Sequence, residues 1–556
     1  MSSTTRTSQT AHVDTFARDN LPPVEDWPVF DVAMPDGTLL TYPDSLNAAV
    51  ELLDRNVENG NGDRPAVCLR GETPISYRDL LTWANRIAHV LVDDLGVVPG
   101  NRVLLHGPNN PGMVACWFAI LKVGGIVVTT MPLLRARELR YVIDKARVTV
   151  ALCDARFDAP LREATQAAMA GDPGMRIRVA CFNSLDDDQA LDALCAGKPT
   201  DYDNVQTASD DLALIAFTSG TTGTAKGTMH FQRDILAICD TFSMNILKPV
   251  PDDVFCGTPP LAFTFALGGL LLFPFRVGAS TVLIEQPSPQ ALLEAVQHDR
   301  ATVMFTAPTM YRNLTGVVNE WDISSLRKCV SAGEALPAAT SNVWHDVTGI
   351  RIIDGIGATE MLHIFISSSG DDVRPGSTGK PVPGYEAHIV DDDGNHVLPG
   401  TVGRLAVRGV TGCRYLADSE RQRTYVQNGW NITGDAYLMD DDGYFWYQAR
   451  TDDMIISSGY NIAGPEVENV LLEHPLVHEC AVIGTPDPQR TNIVTAIIIL
   501  KDPTIASDDL VKELQDFVKA QIAPYKYPRR IEFAETLPRT ETGKLQRFKL
   551  RDERAQ

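Results

Sequence analysis

The chain has 556 residues, 44% hydrophobic and 22% charged, with 49 basic residues against 71 acidic ones and a formal net charge of −22. That length exceeds what one core organises, so at least two domains are expected. So acidic a balance argues against nucleic-acid or anionic-membrane binding and for a soluble cytoplasmic protein that meets anionic substrates at local positive sites.

No stretch approaches the ~18 consecutive apolar residues of a membrane helix. Ten cysteines run from Cys68 to Cys480 without a C-x-x-C pair, which fits reduced thiols better than a disulfide framework or a zinc site. Met1 to Asn20 is polar, lacks the apolar core of a signal peptide and is expected to be frayed.

Leu21-Pro22-Pro23 and Trp27-Pro28 read as an arm lying on the main body. Helical spacing of apolar residues begins near Ser45 and continues through Val50 and Leu53. Strands then alternate with helices: Ile75–Tyr77 before a helix around Leu80 to Val92, Val103–Leu105 before Ala115 to Leu121, then Ile126–Val128. A helix near Glu138 leads to the strand Val148–Leu152, a spacing that predicts doubly wound parallel sheet. The segment 153–208 is polar and reads as irregular.

Leu212 to Phe217 is a continuous apolar run, the trace of a buried strand. It breaks into Thr218-Ser219-Gly220-Thr221-Thr222-Gly223-Thr224-Ala225-Lys226-Gly227, with three glycines, five hydroxyls and one lysine. Glycines let backbone N–H groups approach a ligand, hydroxyls donate to phosphate oxygens, and lysine adds charge, so the string reads as a phosphate cradle. It is not a Walker loop, because Ala225 precedes the lysine and Gly227 follows it. A solvated Gly/Thr-rich turn is the alternative.

Beyond it, strands are expected at Ser280–Ile284, Thr302–Phe305, Lys328–Ser331 and Ile350–Ile353. Ser331-Ala332-Gly333-Glu334-Ala335 follows one strand and offers small residues against which a flat ring could lie. Ile356-Gly357-Ala358-Thr359-Glu360 follows another, and its hydroxyl beside a carboxylate suits a phosphate contact and an Mg²⁺ ligand. A helix N-cap at Thr359 is the competing reading.

From Glu386, short alternating strands with Asp-Gly and Pro-Gly turns predict a small β-rich unit. Within it, Thr433-Gly434-Asp435 places a carboxylate at a turn, able to accept two ribose hydroxyls. After Asp452 come a helix near Pro465–Leu472, strands Cys480–Ile483 and Val494–Leu500, and a helix Asp508–Ile522. His474 and His478 stand at metal-helix spacing, but Pro475 breaks that geometry and both read as surface residues. His230 fits packing and substrate contact equally. Near the end, Pro538-Arg539-Thr540-Glu541-Thr542-Gly543-Lys544 reads in isolation as a surface turn.

Taken together and in this order, these motifs resemble the adenylate-forming superfamily of acyl-CoA synthetases, luciferases and peptide-synthetase adenylation domains, over roughly residues 40–550. Ala225, Ile356 and Ala449 depart from the proline, aromatic residue and glycine usual at those places. The resemblance implies that Thr218, Ser219, Gly220, Thr221, Thr222, Gly223 and Lys226 hold the triphosphate. It further implies that Gly333, Glu334, Ala335 and Gly357 border the nucleotide, and that Thr359 touches the α-phosphate. Glu360 would take Mg²⁺, Asp435 the ribose with support from Arg450, and Lys544 the catalytic charge. Asp452 matches the hinge and Gly459 the loop lining the pantetheine channel.

The fold so implied is α/β. A large N-terminal domain of doubly wound sheets (1–451, β-rich subdomain about 386–451) precedes a mobile small α+β domain (452–556). Its cofactors are ATP, Mg²⁺ and CoA, and its partners are small molecules, in a monomer or homodimer.

For the acid, Pro260 to Gly269 has no aspartate for an α-ammonium group, and Phe263 and Phe265 suit a flat ring as well as a core. Glu360 to Phe365 resembles benzoate-type CoA ligases, and Thr15 to Pro23 resembles 2-aminobenzoate-CoA ligases. The pocket implied is aryl, bordered by Ala332 and Gly357, with His363 bonding to the acid or its ortho substituent. An aryl-CoA ligase favouring 2-aminobenzoate or 2-hydroxybenzoate is expected. A stand-alone adenylation enzyme loading a carrier protein is the alternative.

Overall fold

The computed structural model describes residues 9–184, 190–218, 225–450, 453–457, 460–487, 490–522, 524–539 and 545–554. The protein is α/β, with a large N-terminal domain built on two sheets and a small C-terminal domain.

One sheet has six strands in the order Arg178–Phe182, Val150–Asp154, Arg102–His106, Ile126–Thr130, Leu212–Thr218, Lys226–Phe231. All neighbours are parallel except the last pair, a hairpin. Three of its central strands are buried at every residue, as their unbroken apolar runs require of strands covered on both faces. The second sheet has nine strands, parallel through its centre from Ile352–Gly357 to Pro65–Leu69 and antiparallel at both edges.

Helix Pro111–Lys122 touches strands of both sheets, and every residue after Pro111 is buried. A helix apolar all round belongs in an interior. Asn110 caps it by accepting from the Met113 N–H at 3.0 Å, and proline opens it at the position where no N–H is needed. One continuous hydrophobic core runs from Val103 and Val127 on one sheet to Val67, Val303 and Phe305 on the other.

Tyr385–Val390, Val402–Gly409, Val426–Gln427, Trp430–Met439 and Phe445–Arg450 form an antiparallel sheet. The small domain's sheet includes Val477–Asp487 paired with Thr491–Leu500 over ten positions, and helices Gly464–Leu472 and Asp508–Gln521 pack with it into a separate core. Ser507 caps the second helix, with Asp508 and Asp509 favourably placed in its first turn. Among the described residues no helix is long and apolar enough to cross a membrane. All ten cysteines are buried and free.

Three expectations are corrected. The segment 153–208 is not irregular: it contributes helix Asp158–Gly171 and the edge strand Arg178–Phe182, in register with Val150–Asp154. Its polarity reflects a helix that buries one face only, through Leu161, Ala164, Thr165 and Ala168, and a strand whose first two residues are not buried.

The N-terminus is pinned from Thr10 onward. Thr10 Oγ1 and the Ala11 N–H donate to Asp211, Arg18 pairs with the same carboxylate at 3.3 Å, and Asp14 pairs with Arg102 at 2.6 Å.

His474 is buried, not superficial. Its Nε2 lies 3.3 Å from Glu513 and its ring packs edge-on against Phe517, because helix Asp508–Gln521 crosses over it. His478 is exposed.

Candidate active site

Thr218 and Lys226 face each other in register as the last described pair of the hairpin. Of the expected phosphate-cradle residues, Ser219, Gly220, Thr221, Thr222 and Gly223 lie outside the described residues. So do Asp452, Gly459 and Lys544. The Lys226 ammonium sits 5.7 Å from the ring centroid of Tyr415.

Thr359 and Glu360 occupy the tip of a tight reversal. Strand Ile352–Gly357 ends, a single 3₁₀ turn spans Thr359–Met361, and Ile364–Ser367 returns antiparallel beside the first strand. Gly357 leaves no room for a side chain, since a Cβ there would lie 2.8 Å from the His363 carbonyl oxygen. Leu362 closes the turn at φ +68°, a positive value that residues with a side chain seldom adopt. Strain of this kind collects where a site dictates the backbone.

Both tip residues are held from outside. Tyr415 donates its phenol to Glu360 Oε1 at 2.5 Å, and His230 donates from Nε2 to the Thr359 carbonyl at 2.9 Å. Burial lowers His230 to about 4, so it is neutral, and its undecided role resolves as support of this turn. Burial and the Glu360 carboxylate push the Tyr415 phenol far above its ordinary value, which keeps it a donor. The Tyr425 ring stands edge-on to Tyr415 at 5.8 Å, and its buried hydroxyl has no partner among the described residues. It feels the charges of Glu360, Asp435 and Arg450 together.

Asp435 lies within strand Trp430–Met439, not at the turn expected, and opposite Arg450 in the pairing, with Arg450 Nη1 at 3.1 Å from its Oδ1. Gly333 adopts φ +92°, which only glycine takes without strain. Glu334 accepts from Thr309 Oγ1 at 2.8 Å and from Arg539 Nη1 at 3.2 Å. Arg539 also pairs with Glu479, which takes Arg312 Nη2 at 3.2 Å. The base of the lysine motif therefore rests on the segment expected to border adenine. Ala332 is buried beside it, and Ala335 is exposed.

His363 lies among rings: Phe273 at 4.6 Å, Phe242 at 5.3 Å and Phe265 at 5.8 Å between centroids. Its Nε2 donates to the Phe265 carbonyl at 3.2 Å, while Nδ1 is buried without a partner among the described residues. Burial lowers it to about 3, so the ring is neutral and Nδ1 is an acceptor. Phe263 and Phe265 are half-buried, and Phe265 also packs on Phe305 at 5.4 Å. The following helix opens into a π-turn at Leu267–Leu272, where a Cβ on Gly268 would stand 2.4 Å from His363 Cδ2. The glycine thus admits the imidazole, at the kind of helical irregularity common in functional sites.

The fold thus joins Lys226, Glu360 and Thr359 through Tyr415 and His230, Asp435 to Arg450, Glu334 to the lysine motif, and Phe265 to His363. Reading the motifs does not find Tyr415, Tyr425, Arg414 or Asp354. Asp354 opposes Ser331 in the register, and burial pushes its carboxyl up to about 7.

A raised folded-state value means the unfolded chain ionises first, so this group's contribution to stability falls as pH rises from about 4 to about 7. Asp354→Asn is therefore expected to gain stability relative to wild type, by on the order of 2 kcal/mol, between pH 5 and pH 8. Urea unfolding at both pH values checks this, and a difference independent of pH would refute it.

Residues 53–414 match the AMP-binding enzyme family, and residues 466–544 match the AMP-binding enzyme C-terminal domain. The benzoate–CoA ligase of Thauera aromatica is 34% identical over 519 residues, 92% of this chain and 97% of its own. The crystal structure of the anthranilate CoA ligase AuaEII in complex with anthranoyl-AMP superposes with a TM-score of 0.86 at 36% identity, covering 92% of this chain and 98% of that one. A benzoate CoA ligase from Burkholderia xenovorans LB400 gives 0.83 at 31% identity, with 91% and 99% covered. The chain belongs to the AMP-binding enzyme family and stands among its acid–thiol ligases.

Proposed function

We propose that this protein is an aryl-CoA ligase whose preferred acid carries a small ortho donor, 2-aminobenzoate before 2-hydroxybenzoate, with benzoate reacting more slowly. The observation that carries the reading is the neutral His363, caged by phenylalanines, with Nε2 committed to a carbonyl and Nδ1 left as an acceptor. An ortho N–H or O–H is the complement of such an atom. The family relatives named above, which act on benzoate and anthranilate, support the acid class and free CoA rather than a carrier protein as acceptor.

The chemistry follows from the poor electrophilicity of a carboxylate. Its oxygen attacks the α-phosphorus of ATP, the bond to pyrophosphate breaks, and the acid becomes a mixed anhydride with AMP. The CoA thiol then attacks the carbonyl carbon, AMP leaves with the bonding pair, and the thiol proton passes to solvent. The acid arrives ionised, so the first step needs no general base. Charge gathering on the phosphate oxygens is opposed by Lys226, the hydroxyl-rich loop and Lys544. Asp435 and Arg450 are assigned to the ribose, and Gly333 to Ala335 with Gly357 to the base.

Mg²⁺ fits what is present. Glu360 offers a carboxylate whose Oε1 is fixed by Tyr415, and the described residues hold no group of three or more acidic, histidine or cysteine ligands. One carboxylate plus substrate phosphates is how magnesium is usually held. Bound there, it would neutralise phosphate charge.

The test is kcat/KM for 2-aminobenzoate, 2-hydroxybenzoate, benzoate and a medium-chain fatty acid, with free CoA. Packing alone separates ortho-substituted from plain benzoate by only ~1–3 kcal/mol. His363→Ala is expected to level the aryl ranking. A fatty acid preferred over all three sinks the aryl reading, and an unchanged ranking in His363→Ala removes His363 from the pocket.

A further inference from the structure

Arg414 is fully buried in the large domain, with its guanidinium 4.0, 4.5 and 5.3 Å from the ring centroids of Phe231, Phe30 and Trp27. Two of those rings belong to the N-terminal arm. Arg414 Nη1 donates to the equally buried Asp234 at 2.8 Å. A buried ion pair is weak evidence for stability, because desolvation cancels much of the attraction.

On one side it meets the arm again. Gln422 donates from Nε2 to the Asp26 carbonyl at 2.9 Å and accepts the Tyr415 N–H on Oε1 at 2.9 Å. Arg423 Nε pairs with Asp26 at 3.1 Å. On the other side it meets the reaction centre. The Tyr415 phenol fixes Glu360, Arg414 Nη1 donates to the Met229 carbonyl at 3.3 Å, and the next residue, His230, donates from Nε2 to the Thr359 carbonyl. Arg414-Tyr415 is also stitched to the strand that leaves the phosphate cradle, through Met229 N–H to the Arg414 carbonyl at 2.8 Å and Leu416 N–H to the Gly227 carbonyl at 2.9 Å.

We propose that the N-terminal arm is a positioning element for the adenylating site. Trp27 and Phe30 clamp Arg414, and the block Arg414-Tyr415 then sets the Glu360 carboxylate directly and the Thr359 carbonyl through Met229 and its chain neighbour His230. Arg414 and the arm touch no reacting atom; they act through Tyr415 and His230. The inference rests on Glu360 and Thr359 serving the nucleotide, as proposed above.

Two variants of the full chain test it, with Mn²⁺ as the probe cation. Tyr415→Phe keeps the ring and removes only the hydroxyl. Mn²⁺ affinity of the enzyme–ATP complex, read from the EPR signal of free Mn²⁺, is expected to fall on the order of tenfold, the worth of one hydrogen bond to a charged group. The kcat for pyrophosphate release should fall while KM for the acid stays put.

Trp27→Ala should move Mn²⁺ affinity the same way by about threefold, the scale of one lost cation–π contact. The milder Phe30→Leu serves if Trp27→Ala does not fold. Unchanged Mn²⁺ affinity in Tyr415→Phe overturns the link to Glu360. Arm variants that lower only the melting midpoint, with Mn²⁺ affinity at the wild-type value, overturn the arm's role. If no acid is adenylated yet Mn²⁺ binding responds as stated, the proposed function fails and this inference stands.

Discussion

Lys544→Ala is expected to slow pyrophosphate release by on the order of 10²–10³, the cost of one preorganised donor, while thioester formation from supplied acyl-AMP stays near the wild-type rate. The asymmetry is the point. A carboxylate approaching a triphosphate brings like charges together, and a lysine at that meeting point lowers the barrier of the first half-reaction alone. Residues on either side of the segment ending in Lys544 set its base: Arg539 and Leu545 bridge each other, and Arg539 rests on Glu334. Pyrophosphate exchange and single-turnover thioester formation measure the two halves separately. Equal damage to both would make Lys544 structural.

Asp452→Pro is expected to leave pyrophosphate release little changed and slow CoA-thioester formation by on the order of 10²-fold, the usual cost of a misplaced reacting group. The reading behind it is that the small domain turns about Asp452 to exchange the lysine motif for the Gly459 loop. A hinge residue absorbs a change of φ and ψ, and proline locks φ.

Arg312–Glu479 and Arg539–Glu334 are ion pairs between the two domains that such a turn would have to separate. Stopped-flow measurement of each half-reaction decides it. Parallel losses in both would move the hinge elsewhere.

The general plan of this protein is legible in its sequence because parallel strands covered on both faces leave unbroken apolar runs, as at 102–106, 126–130 and 150–154. The phosphate, Thr-Glu and lysine motifs are legible for a related reason. Each needs its glycine, hydroxyl and charge within a few consecutive residues, so local order carries the chemistry. The segment 153–208 is misread because its helix buries a single face and its strand buries only three residues, too short a run to stand out among the polar residues around it.

What holds the motifs in place is written nowhere locally. Tyr415 finds Glu360 55 residues back, and Arg414 finds Asp234 180 residues back. Only the crossing of strand Lys226–Phe231 beside residues 414–416 brings them together. The same holds for the titrations. Nothing in the pattern around His363 or Asp354 forecasts a ring lowered to about 3 or a carboxyl raised to about 7. Those values come from desolvation by residues distant in the chain, and desolvation is set by the packed tertiary structure alone.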